Sequence, residues 1–153
     1  MLRPLPDALP ATALPTGCQL DAVPAAAFAE CVGALRGTPM AQRRAHAERM
    51  QQAPVQYQGF VLRQRGETVA CGQLVLEEGC AGLYDVFTAL PHRGLGHARA
   101  LCVALLGLAR EQGAEQAYLQ VDAGNEVARR LYGQLGFTDG YAYHYRSDAA
   151  SAK

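Results

Sequence analysis

Neither sign of charge prevails: fourteen Lys and Arg stand against fourteen Asp and Glu in 153 residues. A chain without net charge has no bulk electrostatic pull toward nucleic acid or an anionic membrane, so neither is expected as a partner. Lysine is almost missing. Lys153 is alone among the basic residues and the others are Arg, a bias that a GC-rich genome would produce and that carries no functional weight. Long apolar runs are missing too. The longest, residues 100–109, is interrupted by Gly107 and is too short to span a bilayer. Prolines at 4, 6, 10 and 15 exclude a signal-peptide core. The cysteines, at 18, 31, 71, 80 and 102, offer no C-x-x-C pair and no Cys/His spacing for zinc, so no metal site is expected. Cys31, Cys71 and Cys102 lie in apolar runs and read as small buried hydrophobes, which points to a reducing, cytoplasmic setting.

Half the residues are apolar and 18% are charged, which excludes a disordered chain. The length fits one domain, and a compact chain of this size hides roughly 70% of its unfolded surface without metal or disulfide staples. Residues 1–17, rich in proline and without periodicity, read as an extended leader or linker. A domain over 18–147 and a short tail at 148–153 complete the division. Pro24 opens a helical run over 25–35 that Gly37 ends, and Pro39 opens a polar, Arg-rich run through Gln52. Alternation then marks strands at 60–65 and 69–76, joined by a turn at Arg65-Gly66-Glu67. Residues 77–82 carry two glycines and read as the next turn, before a strand at 83–89. A helix at about 94–112, a strand at 117–121, a helix at 125–135 and a Tyr-rich strand at 141–146 follow. The order implies a mixed α/β (α+β) fold around one sheet.

The most informative stretch is Leu83 to Ala98, where a strand enters a proline-marked turn and then an apolar helix. The turn has the form R-G-x-G-x-A, from Arg93, Gly94, Leu95, Gly96, His97 and Ala98. Glycine permits the sharp turn and, having no Cβ, lets a ligand touch the main chain. The first N–H groups of a helix have no partner within it, and the helix dipole adds positive potential. Together they form an anion site. Ala98 leaves the site open and Arg93 adds a forked cationic donor. No G-K-[ST] follows, so this is not a P-loop, and the third glycine of a dinucleotide fingerprint is missing. What remains is a backbone cradle for an anion the size of a pyrophosphate.

Arg93, Gly96 and Ala98 meet the pattern R/Q-x-x-G-x-G/A. Downstream, Asn125, Ala128, Leu131-Tyr132 and Leu135-Gly136-Phe137 form N-x-x-A-x-x-L-Y-x-x-L-G-F after a short strand. These two blocks, in this order, resemble the acetyl-CoA site of the GNAT N-acetyltransferase superfamily. The resemblance spans residues 83–146, and the ending resembles the catalytic half of tandem members. It implies a mostly antiparallel sheet, splayed between its two parallel middle strands, with helices on both faces.

The resemblance also implies acetyl transfer from acetyl-CoA, as cosubstrate, to an amine. The backbone from Arg93 through Ala98, with Gly94, Leu95, Gly96 and His97 between them, would hold the pyrophosphate. The amide-rich pantetheine arm would pair with the strand end at Phe87, Thr88 and Ala89. A strand N–H in the splay would stabilise the oxyanion, so no metal is required. Tyr132 is the expected general acid for the departing thiolate: with an ordinary pKa near ~10 it is protonated at neutral pH. Asn125 reads as a helix N-cap, and the resemblance adds a hydrogen bond to the cofactor arm, with Ala128 beside it.

The acceptor ammonium must lose a proton, which costs roughly 4–5 kcal/mol at pH 7. Asp85, on the strand feeding the turn, is the best-placed base, acting through water. Glu77 and Glu78 are weaker candidates, and His144 reads as an ordinary residue, while His92 and His97 flank the glycines, where their side chains could brush phosphate but their backbone matters more. Arg43, Arg44 and Arg49 read as a solvated helix face, although a basic face there would suit an acceptor with a carboxylate or phosphate. No cysteine lies in either block, so direct attack in a ternary complex is expected. The alternative is a non-catalytic CoA-binding or dimerisation module. The last strand offers an edge through which a homodimer would pair.

Overall fold

The computed structural model describes residues 1–5, 14, 16–37, 39–52 and 57–139. The expected last strand, its pairing edge, His144 and the tail lie outside them. Among the described residues six strands form one sheet in the order β1-β6-β5-β4-β3-β2. They are β1 (Leu2–Pro4), β2 (Cys18–Val23), β3 (Tyr57–Gln64), β4 (Glu67–Glu77), β5 (Cys80–Thr88) and β6 (Gln116–Leu119). Among these six, β5 and β6 run parallel and the other neighbours are antiparallel. The helices are α1 (Ala25–Arg36), α2 (Met40–Gln52), α3 (His97–Glu111) and α4 (Glu126–Gln134).

The helices cover the sheet because alternate strand residues supply two apolar faces. On one face Leu101, Cys102, Leu105, Leu106 and Ala109 of α3 repeat at helical spacing and are buried with Leu62, Leu74, Leu83 and Leu119. Tyr132 and Leu135 of α4 join this core. Truncating one such leucine to Ala typically costs about 2–5 kcal/mol. On the other face Phe28, Ala29 and Val32 of α1 pack on Val61 and Cys71. Gly59 of β3 makes that approach possible: a Cβ there would stand 2.8 Å from Phe28 Cβ. Gly37 ends α1 in the left-handed region at φ 74°, its N–H reaching the Ala34 and Gly33 carbonyls.

Three readings of the sequence need correction. Residues 2–4 are not leader but an edge strand, where proline is tolerated because its missing N–H can face away from the ladder. Cys18–Val23, to which the sequence assigns no element, pairs along its whole length with β3. Gly82 belongs to β5 rather than to a turn; the turn is Glu78-Gly79 alone, both at positive φ. Gly82 is required instead by crowding, since a Cβ on it would lie 2.6 Å from Tyr118 Cζ.

Candidate active site

The parallel pair β5–β6 is joined from Cys80↔Gln116 to Leu83↔Leu119. There β6 stops, two residues short of the expected 121, while β5 runs on to Thr88. The edge of β5 beyond Leu83 is therefore open toward the end of β6. The first residues past the parting are Tyr84 and Asp85. Asp85 has φ 51°, and with Val86 it faces Gly72 alone, between the pairs Gln73↔Tyr84 and Cys71↔Phe87. This is a β-bulge. The added residue resets the alternation: Leu83 and Val86 pack toward α3, while Phe87 packs toward α1. Asp85 lies on the α1 side as well, 3.7 Å from the Arg36 guanidinium. Asp tolerates the left-handed conformation better than most residues, which explains its place at the bulge.

Above the parting, Leu90–His92 makes one turn of 3-10 helix, and α3 begins only at His97, three residues later than expected. The delay is forced by Gly94 and Gly96, whose φ values of 79° and 83° are not helical. A Cβ at either glycine would meet nothing within 4 Å, so the space over the turn is clear. Gly96 caps α3 without a side-chain hydrogen bond, leaving the opening N–H groups of the helix facing that space. Arg93 folds back from the turn: its Nε–H donates to the Thr88 carbonyl at 3.2 Å, and its guanidinium lies 5.1 Å from the Phe87 ring centroid. The Ala89 N–H is occupied by the Val69 carbonyl at 2.8 Å. His97 is 4% exposed, and neither ring nitrogen has a hydrogen-bond partner among the described residues. Burial first, and then neighbouring His92, holds its pKa below the ordinary value.

Helix α4 begins where the sequence places it. Asn125 Oδ1 accepts from the Ala128 N–H at 3.1 Å, an N-cap. The Tyr132 ring is buried in an edge-on contact with Phe137. Burial, then the Cys102 thiol beside it, pushes the Tyr132 pKa well above the ordinary tyrosine range. The phenol is therefore protonated throughout the neutral range.

The acetyltransferase (GNAT) family profile matches residues 26–137. The chain belongs to that family. The GNAT domain is 34% identical to mycothiol acetyltransferase from Thermobispora bispora, over 90% of this chain and 52% of that protein. It is 33% identical to the N-acetyltransferase YobR from Bacillus subtilis, over 57% of this chain and 35% of that protein. The chain thus spans about half the length, or less, of these relatives. Among solved structures, AAC(6')-Iy in complex with the bisubstrate analog CoA-S-monomethyl-acetylneamine shares the fold, with a TM-score of 0.67 and 16% identity over 86% of this chain and 99% of that one. The ribosomal-protein-S18-alanine N-acetyltransferase from Escherichia coli shares it with a TM-score of 0.66 and 22% identity, over 81% and 79% of the two chains.

In this GNAT domain the site residues read from sequence fall into three groups. Phe87, Thr88 and Arg93 are in mutual contact, and Gly94 to Ala98 continue from them. Ala128 and Tyr132 lie on α4 and Asn125 caps it. Asp85 faces the other side of the sheet, toward α1. Three residues near the site were not read from the sequence. Arg36, at the end of α1, meets Asp85 and also lies 5.2 Å from the Phe87 centroid. Tyr84 and Tyr118 join their hydroxyls at 3.2 Å beside the last β5–β6 pairs. Their signal is only that both alternate with apolar strand residues. No helix among the described residues is long and apolar enough to cross a membrane.

Proposed function

We propose that the domain transfers an acetyl group from acetyl-CoA to a primary amine of a small molecule or peptide, by direct attack in a ternary complex. The observation that carries this reading is the parting of β5 from β6 directly before a glycine turn with clear space above it. An open strand edge suits the amides of a pantetheine arm, and unpaired N–H groups at a helix start suit a pyrophosphate. The fit of residues to cosubstrate is further supported by the buried, unpartnered His97 ring at that helix start.

Each group then has a task. Arg93 and the backbone through Ala98 hold the diphosphate, and Asn125 and Ala128 flank the arm. A β5 N–H at the parting steadies the carbonyl oxygen as the amine nitrogen attacks. The C–N bond forms and the C–S bond breaks; Tyr132 gives its proton to the leaving sulfur, and the proton that the amine nitrogen sheds as it becomes an amide passes through water to restore the phenol. Asp85 takes the proton of the acceptor ammonium through water.

The test is thiol release from acetyl-CoA over a panel of amines. Tyr132→Phe should lower kcat by about 10²-fold or more while CoA affinity persists. Gly96→Leu should remove CoA binding while the fold remains. Tight CoA binding with no turnover on any amine would instead make the chain a non-catalytic module.

A further inference from the structure

On the face of the sheet away from α3, a cleft of about 260 Å³ opens between α1, α2 and the β5 bulge. Its lining includes Val32, Gly33 and Arg36 of α1, Arg43 and Arg49 of α2, and Asp85. Three guanidiniums and the Asp85 carboxylate therefore line it. Arg44, one step around α2, is not part of the lining. The Arg43 stem crosses Gly33, and its guanidinium pairs with Glu30, which fixes the head at the cleft. Arg36 bridges Asp85 and the face of Phe87. Arg49 has no ion-pair partner among the described residues.

We infer that the acceptor is a small amine that also carries an anionic group, the amine held at Asp85 and the anion by Arg36, Arg43 and Arg49. The inference rests on the acetyltransferase reading, because only that reading makes Asp85 the amine end. The chemistry favours it on three counts. The cleft carries charges of both signs, as a zwitterion does. Guanidinium forks match carboxylate and phosphate geometry, whereas a polyamine would meet three like charges. The volume is roughly that of nine waters, which suits an amino carboxylate.

The experiment compares ω-amino carboxylates of two to six carbons with n-alkylamines and α,ω-diamines of matching length, at saturating acetyl-CoA. O-Phosphoethanolamine distinguishes a phosphate from a carboxylate. At the favoured length, kcat/KM for the anionic amine should exceed that for the alkylamine by about tenfold or more, as expected of charge-assisted hydrogen bonds. Arg49→Ala should collapse that ratio through KM, and Arg49→Lys should restore part of it. Arg49 is exposed, so the variant should fold. Thermal shift of the CoA-loaded protein by the same amines gives a readout that needs no turnover. Diamines or alkylamines used as well as the anionic amines, or a ratio unmoved in Arg49→Ala, would overturn the inference and leave the transferase reading intact. Failure to bind acetyl-CoA at all would remove both.

Discussion

Arg43 of α2 lies across Gly33 of α1, so closely that a Cβ on Gly33 would stand 2.5 Å from Arg43 Cγ and 2.9 Å from Nε. The crowded atom is Cγ near the base of the stem rather than its free end, so a methyl there must push α2 away from α1. That overpacking costs about 1–3 kcal/mol, against the up to about 1 kcal/mol that Ala gains over Gly in a helix interior. Gly33→Ala should therefore lower the thermal midpoint and, by displacing Arg43, weaken anionic acceptors. A midpoint that falls while KM rises is the expected pair of results.

Asp85 is to be tested with Asn rather than Ala. At φ 51° the left-handed conformation costs Ala about 1–2 kcal/mol, whereas Asn shares Asp's tolerance of it. Asp85→Asn should hold its urea midpoint and lose kcat/KM at neutral pH; Asp85→Ala should lose both. If Asn retains full activity, the base lies elsewhere.

His97 offers a stability gain with a functional loss. Its ring nitrogens are buried without partners, so His97→Leu should raise stability by about 1 kcal/mol while CoA affinity falls. Because the folded pKa is depressed, an unfolded chain takes up the proton first as pH drops below the free value of 6.5. Part of the wild-type stability should therefore be lost on acidification below that pH. Urea titrations from pH 7 to 5 should show that part disappear in the variant.

The alkaline side is governed by thiols. Burial pushes Cys71 and Cys102 up to about 12, with Arg36 opposing the effect only at Cys71. Above the ordinary thiol range an unfolded chain releases these protons and the folded one keeps them, so stability falls as pH rises. One unit past the free value each thiol should cost about 1.4 kcal/mol. Cys102→Ala should flatten that slope between pH 8 and 10.

Motifs whose meaning is local were legible in the sequence. Gly94, Gly96 and the Asn125 cap do in place what their chemistry dictates, and the caps of α1 and α3 fall near Gly37 and Gly113. Features that depend on distant partners were not. Residues 2–4 become a strand because β6 lies beside them, and proline composition hides this. Gly82 signals a turn until Tyr118 is placed against it. The Asp85 bulge breaks the very alternation by which strands are read. Arg44 and Arg49 are exposed, as a solvated face requires; the cleft that Arg43 and Arg49 also line is hidden because its opposing half, Arg36 and Asp85, arrives from other parts of the chain.

The extra residue in β5 makes the length of that strand as consequential as its composition. Deleting Asp85 would leave Val86 opposite Gly72 and Phe87 opposite Cys71, so the ladder would become regular and every residue downstream would keep its face. What would go is the left-handed kink in the strand and the carboxylate turned toward Arg36. A frame-preserving loss of that single codon would thus spare the scaffold and remove the feature that distinguishes the parting.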